Sequence, residues 1–169
     1  MADFRVRRRL FIVLVLIFAG RGMALAQGVE SISPKQAYEM SKNPGTYIVD
    51  VRTVAEYVWV GHPETAYNVP LAFWDDLKAG TTPNADFLSD LKARFKPEDV
   101  LIFICRAGGR SQRASNMAQN AGFLKVYNVI EGFEGGRDAK GLHTVGGWKG
   151  AGLPYTLDVN PELAYKPKK

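Results

Sequence analysis

Short apolar runs alternate with amphipathic stretches along most of the chain. Strands are predicted at runs rich in apolar, β-branched or aromatic residues, namely 46–51, 100–104 and 125–130. Helices are predicted where apolar residues recur at helical spacing or a capping residue opens the segment, namely 34–40, 54–57, 86–95 and 111–121. Because strands and helices alternate, we predict an α/β domain with a mostly parallel central sheet and helices on both faces.

The glycine-rich stretch 132–152 predicts a long surface loop rather than a domain boundary. Trp148 within it is expected to pack as an anchor, with stacking on a ligand as the alternative. No repeat or low-complexity linker divides the chain. We therefore predict one domain over residues 27–160 and a flexible basic tail over 161–169.

The first 26 residues have the layout of a secretory signal peptide. A basic start precedes an apolar run over 10–19, and small residues follow at Ala24 and Ala26. We expect cleavage before Gln27 and a periplasmic or secreted protein. The apolar run is short for a bilayer span, so membrane attachment is expected only if the segment is retained. Arg8 and Arg9 also resemble a twin-arginine signal, although the strongly apolar run favours the general secretory route.

The basic charge of the chain lies largely in that segment. The whole chain has 22 Lys and Arg against 17 Asp and Glu, a net charge of +5. Without residues 1–26 the counts are 17 and 16, a net charge of +1. A nucleic-acid partner is therefore not expected. With one cysteine and only His62 and His143, neither an internal disulfide nor a metal site is expected.

The most reactive side chain of the sequence is its only cysteine, Cys105. It follows the predicted strand 100–104, and the loop after it leads into the predicted helix 111–121. Free N–H groups of a first helical turn, the helix dipole and nearby arginines favour a thiolate there. A lone cysteine after an apolar strand is commonly a buried filler of the core. Two glycines, and the charges of Arg106 and Arg110, instead favour a nucleophile in an anion-binding loop.

Several further motifs occur in a fixed order along the chain after residue 26. They are Asp50 Val51 Arg52, Glu56 Tyr57, Gly61 His62, Ala66, Asn68 Val69 Pro70, the loop 105–111, Gly122 Phe123, Gly147 Trp148 and Gly152 Leu153 Pro154. Together they resemble a single-domain rhodanese, a sulfurtransferase, over nearly all of this part of the chain.

The resemblance implies that Cys105 is the catalytic nucleophile. It would take a sulfane sulfur from thiosulfate or a related donor as a persulfide and pass it to cyanide or a thiol, carried by a small molecule or a protein. No cofactor is implied. The loop would form the substrate-binding site, with backbone amides around the outer sulfur: Arg106, Ala107, Gly108, Gly109, Arg110 and Ser111. Arg106 and Arg110 can hold the sulfonate of thiosulfate while sulfite leaves.

The chain departs from the usual pattern of that family at a few positions. One additional residue, with Trp59 in the insertion, separates Glu56 and Tyr57 from Gly61 and His62. Pro63 and Thr65 replace an aliphatic residue and a glycine, and Ala107 replaces a polar residue of the loop. These changes affect the acceptor side and the substrate preference more than the chemistry of the cysteine.

Alternative functions and roles remain open from the sequence. Phosphatases and arsenate reductases with a related fold place five residues between cysteine and arginine, whereas Cys105 and Arg110 enclose four. A noncatalytic module, or one that relays sulfur to a dedicated partner, is the other alternative. Asp50, Arg52 and Glu56 suit a structural ion-pair network better than direct catalysis. His62 is expected to be architectural.

Overall fold

The computed structural model describes residues 28–167, so the predicted signal peptide and its cleavage site lie outside the described part. The strands in chain order are β1 Glu30–Ile32, β2 Thr46–Asp50, β3 His62–Pro63, β4 Tyr67–Asn68, β5 Ala72–Asp75, β6 Gly80–Pro83, β7 Val100–Ile104, β8 Lys125–Val129, β9 Gly136–Arg137, β10 His143–Val145 and β11 Tyr155–Thr156. The helices are α1 Pro34–Ser41, α2 Val54–Val60, α3 Phe87–Arg94, α4 Gly109–Asn120 and α5 Gly147–Gly150. Over residues 28–167, none of these helices has the length and apolar character of a membrane span.

The central sheet has five strands in the order β1-β8-β7-β2-β4. Every neighbouring pair in it is parallel. Consecutive side chains of a strand point to opposite faces, so β7 sends Leu101 and Phe103 to one face and Ile102 and Ile104 to the other. The predicted α/β fold with a parallel sheet is confirmed.

Helices bury both faces of this sheet, as predicted. On one face, Phe87 of α3 and Ala114 of α4 belong to the core cluster that contains Phe103. On the other face, Ala37 of α1 and Trp148 of α5 belong to the cluster that contains Ile102. Cys105 continues the alternation of β7 and lies on the face covered by α3 and α4.

The helix after Cys105 begins earlier than the sequence pattern predicts. Ser111 was expected at the start of the helix, but α4 begins at Gly109 and Gly108 is its N-cap, with a φ of 95°. This left-handed backbone turns the chain into the helix directly after the loop. Ser111 lies inside the first turn, and its hydroxyl is 2.9 Å from the carbonyl oxygen of Gly108. The loop is therefore shorter than predicted, and Arg110 belongs to the helix.

The stretch 132–152 is more structured than the predicted surface loop. It contains β9 and β10, which pair antiparallel, and the short helix α5. The short strands lack the length that makes a pattern readable in the sequence. Trp148 is 1% exposed, and its indole N–H donates to the Pro154 carbonyl at 2.8 Å. Its predicted role as a packing anchor is confirmed.

Contacts with the domain continue past residue 160, the predicted end of the domain, into the segment predicted as a flexible tail. The Arg94 guanidinium donates to the carbonyl oxygens of Glu162, Leu163 and Ala164 at 3.2, 3.4 and 2.6 Å. The Tyr165 ring lies 5.4 Å from the ring of Phe73 in β5. The segment after residue 160 therefore packs against α3 and β5 at least as far as Tyr165.

Candidate active site

The Cys105 sulfur lies where β7 passes into α4. The residue is 1% exposed, as a core filler would be. Its Sγ nevertheless accepts a hydrogen bond from the Gly108 backbone N–H at 3.2 Å and lies 3.3 Å from the Ser111 hydroxyl. It also lines a pocket. A cysteine that only fills the core has no need of hydrogen-bond donors or access to a pocket. A nucleophilic sulfur is stabilised as an anion by the donors and reaches its substrate through the pocket.

The backbone around the loop is packed so closely that its shape is fixed. A Cβ atom on Gly108 would lie 2.0 Å from the Ile130 carbonyl oxygen, and one on Gly132 would lie 2.6 Å from the Cys105 carbonyl oxygen. The Phe133 N–H donates to that same Cys105 carbonyl at 2.7 Å. The segment after β8 therefore supports the loop from behind and holds Cys105 in place.

An open pocket of about 520 Å³ lies in front of the sulfur. The loop and α4 contribute one part of its lining: Cys105, Arg106, Ala107, Gly109 and Arg110. The start of α2 and the β5–β6 hairpin contribute the rest: Thr53, Ala55, Glu56, Trp74 and Thr81. Gly108 and Ser111 are not part of this lining. The structure thus brings the predicted loop residues together, with the Gly108 N–H donating to Sγ and the Ser111 hydroxyl 3.3 Å from it.

Arg110 is half-buried in the first turn of α4, and its charge is paired. Its guanidinium donates to both carboxylate oxygens of Glu56 in a bidentate ion pair, at 2.7 and 2.6 Å. Burial opposes ionisation of Glu56, but the hydrogen bonds and charge of Arg110 outweigh it and lower the pKa of this carboxyl to about 2. The pair is neutral as a unit, so Arg106 supplies the net positive charge of the pocket lining. The prediction that Arg106 and Arg110 hold the sulfonate therefore rests chiefly on Arg106, because Arg110 is already paired with Glu56.

Asp50 and Arg52 form a separate buried pair outside the pocket lining. Both are 0% exposed, and the closest approach of the guanidinium to the carboxylate is 2.6 Å. The Arg52 guanidinium also lies 4.2 Å from the centre of the Phe133 ring. The structural role predicted for Asp50 and Arg52 agrees with this burial, but Glu56 pairs with Arg110 and is not part of their network.

His62 is architectural, as expected. It is 1% exposed, and its ring stacks on Tyr57 with 3.5 Å between centroids. Its Nδ1 lies 2.9 Å from the Tyr57 carbonyl oxygen, which can only accept, so Nδ1 carries the hydrogen. Burial lowers the pKa of this imidazole. His62 is thus kept as a neutral packing group outside the pocket lining.

The Glu56–Arg110 pair makes stability depend on pH in the acid range. Because the pKa of Glu56 falls from 4.5 to about 2 on folding, the pair stabilises the fold fully above about pH 4.5 and loses that contribution as the pH drops through about 2. We expect wild type to exceed Glu56→Gln in urea midpoint at neutral pH and the difference to shrink steadily below about pH 4.5. A difference that stays constant down to pH 2 would contradict this assignment.

Sequence reasoning missed the wall of the pocket opposite the loop. Trp74 and Thr81 face each other across the β5–β6 hairpin, and both line the pocket. The aromatic pair Phe73 and Trp74, and the threonines before Pro83, are a strand signal that could have revealed the hairpin. Over residues 28–167, no three His, Cys, Asp or Glu side chains cluster as metal ligands require. The expectation of a site without metal or cofactor stays a prediction.

Comparison with known proteins agrees with this geometry. A family model described as a rhodanese-like domain matches residues 33–139. The crystal structure of Rv0390 from M. tuberculosis superposes with a TM-score of 0.69 at 38% identity, covering 78% of this chain and 100% of that one.

Two curated relatives show the same similarity in sequence. Thiosulfate sulfurtransferase 16 of Arabidopsis thaliana is 33% identical over 103 residues, which cover 61% of this chain and 82% of that protein. The uncharacterised protein RP600 of Rickettsia prowazekii is 33% identical over 128 residues, covering 75% and 97%. With a family model matched over more than half of its residues and the loop cysteine at the end of a parallel strand, the chain belongs to the rhodanese-like family.

Proposed function

We propose that this chain is a sulfurtransferase that carries a sulfane sulfur on Cys105. The observation that carries the proposal is the place of Sγ: it lines the pocket, beside the first turn of α4, and accepts the Gly108 N–H at 3.2 Å. Helix N-termini stabilise negative charge on a sulfur, both in the thiolate and in a persulfide. The name of the Arabidopsis relative, a thiosulfate sulfurtransferase, supports the same chemistry.

Thiosulfate is the donor that fits the charges of the pocket. The Cys105 thiolate attacks the outer sulfur of S–SO₃²⁻, a new S–S bond forms to Sγ, and sulfite leaves with the electrons of the broken bond. Arg106 is exposed and lines the pocket, so its guanidinium can take the sulfonate. Cyanide or a thiol then removes the outer sulfur and returns Cys105 to the thiolate. A small-molecule acceptor and a protein acceptor are both compatible with the open mouth.

A phosphatase function fits the same pocket less well. The arginine that would hold a phosphoryl group in a cysteine loop corresponds to Arg110. Two N–H groups of the Arg110 guanidinium already donate to Glu56. The loop between Cys105 and Arg110 also encloses only four residues. A cradle of this size suits a single sulfur atom better than a tetrahedral phosphoryl group.

Turnover measurements test this function. We expect thiocyanate to form from thiosulfate and cyanide, and p-nitrophenyl phosphate to remain intact under the same conditions. Arg106→Gln is expected to raise the KM for thiosulfate about tenfold, since it removes the charged partner of the sulfonate. Arg113→Gln is the matched control, because Arg113 is exposed on α4 but does not line the pocket.

Faster release of phosphate than of thiocyanate would overturn the proposed function. An unchanged KM in Arg106→Gln would contradict the role of Arg106 alone. The two results are independent, because the first concerns the reaction and the second concerns the binding of the donor.

The N-terminal sequence supports a periplasmic or secreted location for this activity. The basic start, apolar run and small residues of 1–26 are the features of an exported protein. N-terminal sequencing of the mature protein tests this directly: a start at Gln27 supports export with cleavage, and an intact Met1 or Ala2 terminus in the cytoplasm contradicts it.

A further inference from the structure

The lining of the pocket in front of Cys105 combines two chemically different sets of side chains. The charged set is Arg106 and the Glu56–Arg110 pair. The β5–β6 hairpin adds the uncharged side chains of Trp74 and Thr81, next to Ala55 of α2. A sulfonate needs donors and cations, which the charged set supplies. The hairpin offers an indole to a part of a ligand that thiosulfate does not possess.

The β5–β6 hairpin fixes where this indole lies. Phe73 and Trp74 are successive strand residues, so their side chains point to opposite faces. Phe73 packs against the ring of Tyr165, with centroids 5.4 Å apart, and this anchors one face of the hairpin. Trp74 is directed to the other face and lines the pocket beside Ala55 of α2.

Further contacts hold the two strands of the hairpin together. Trp74 pairs with Thr81 across the strands. The Thr82 hydroxyl donates to Asp75 at 2.9 Å, and the Lys78 ammonium lies 3.1 Å from the same carboxylate. At the base of the hairpin, the Asn84 N–H donates to the Leu71 carbonyl oxygen at 3.0 Å. The backbone that carries Trp74 is therefore held in place, and its indole, 54% exposed, lines the pocket.

A half-exposed indole at the mouth of a reactive pocket is suited to binding. Tryptophan buries a large apolar area when a partner covers it, and its ring stacks favourably on other aromatic groups. The cavity of about 520 Å³ leaves room for a second molecule beside the loaded sulfur.

We propose that Trp74 determines the acceptor specificity of this site by selecting thiols that carry an aromatic or apolar body. The proposal rests on the proposed sulfurtransferase function, since it concerns the second half of that reaction. The body of the acceptor stacks on the indole and packs against Ala55, and its sulfur then faces the outer sulfur on Cys105.

The transfer step needs no additional oxidant or reductant. The acceptor RSH donates its sulfur electron pair to the outer sulfur of the Cys105 persulfide, forming an RS–S bond. The bond between Sγ and the outer sulfur breaks, and its electrons stay on Sγ as the thiolate. The proton of the acceptor ends on the transferred sulfur, so the product is RS–SH. The Gly108 N–H, which donates to Sγ, stabilises the departing charge.

The test compares two thiols on protein loaded with sulfur. Full-length mature protein is loaded with thiosulfate, freed of excess donor, and checked by intact mass. It is then mixed with benzyl mercaptan or 2-mercaptoethanol, and the rate of unloading is measured. In Trp74→Ala, we expect the ratio of the benzyl mercaptan rate to the 2-mercaptoethanol rate to fall about tenfold, because aromatic stacking is lost. Because the same two thiols are used with wild type and variant, the difference in their intrinsic nucleophilicity cancels when the two rate ratios are compared.

Trp59→Ala is the matched control. Trp59 is 81% exposed on α2 but does not line the pocket, so the same substitution there should leave the rate ratio at the wild-type value. Trp74→Phe keeps an aromatic ring and should restore most of the ratio. Trp74→Thr keeps a residue that favours strands and should show the same fall as Trp74→Ala, which gives a second measurement if alanine disturbs the hairpin.

Each outcome supports or overturns the proposal. A ratio that is unchanged in Trp74→Ala and Trp74→Thr overturns it, and so does an equal fall in Trp59→Ala. The initial mass measurement separates this failure from failure of the proposed function. If wild type gains no sulfur from either thiosulfate or polysulfide, the sulfurtransferase function itself is wrong and the acceptor proposal falls with it.

Discussion

An Arg52→Ala variant is expected to lose about 3–5 kcal/mol of unfolding free energy, because it leaves a carboxylate buried without its cation. Asp50 and Arg52 are both 0% exposed. The guanidinium also donates to the Gly61 carbonyl oxygen at 2.6 Å and lies over the Phe133 ring. Alanine removes all of these contacts together. Urea unfolding at neutral pH, followed by circular dichroism, measures the loss.

Lys42→Ala is the matched control for Arg52→Ala. It too removes the cation of an ion pair, since the Lys42 ammonium lies 2.7 Å from Glu39. Both of those side chains are more than half exposed, so water replaces the lost partner. The urea midpoint of Lys42→Ala should equal that of wild type. An equal loss of unfolding free energy in the two variants would contradict the claim that burial makes the Asp50–Arg52 pair the more stabilising of the two.

A Gly108→Ala variant is expected to load sulfur at least about 100-fold more slowly, because a shift of about 1 Å in a reacting group has effects of this size. The new Cβ would lie 2.0 Å from the Ile130 carbonyl oxygen, and a φ of +95° is unfavourable for alanine. The loop must move to relieve both. That movement withdraws the Gly108 N–H from Sγ and turns the first turn of α4. The rate of sulfite release in a single turnover measures the effect.

Gly122→Ala separates backbone strain from the clash. Gly122 has a similar φ of +101°, but nothing lies within 4 Å of a Cβ atom there, and the residue follows the far end of α4. Alanine at this position should cost about 1–2 kcal/mol of stability and leave the loading rate unchanged. If Gly108→Ala also loads sulfur at the wild-type rate, the shape of the loop does not control the reactivity of Cys105.

The sequence predicts the parts of this protein that depend on local patterns. The apolar runs of β2, β7 and β8 are long enough to identify strands, and their alternation with helices leads to the parallel sheet. Cys105 is recognisable because its neighbours suit neither a core nor an ordinary surface. Two glycines and two arginines lie within six residues, a composition typical of an anion-binding loop.

The remaining features depend on contacts between distant segments. Glu56 and Arg110 are 54 residues apart in the sequence, so their ion pair forms only because α2 and α4 lie beside the same pocket. The loss of net charge at Arg110 is therefore not visible in the sequence. The wall formed by Trp74 depends on how β5 packs against α2. The neighbouring Phe73 indicates a strand in the sequence but does not indicate the face of the hairpin to which the Trp74 indole is directed.

The intact mass of the protein after incubation with thiosulfate and removal of the excess donor shows most directly whether Cys105 carries one sulfur atom as a persulfide. Wild type should gain the mass of one sulfur, return to its original mass on addition of cyanide, and show no gain in Cys105→Ser. Wild type that gains no sulfur from thiosulfate or polysulfide, or a Cys105→Ser variant that gains as much as wild type, would contradict the claim.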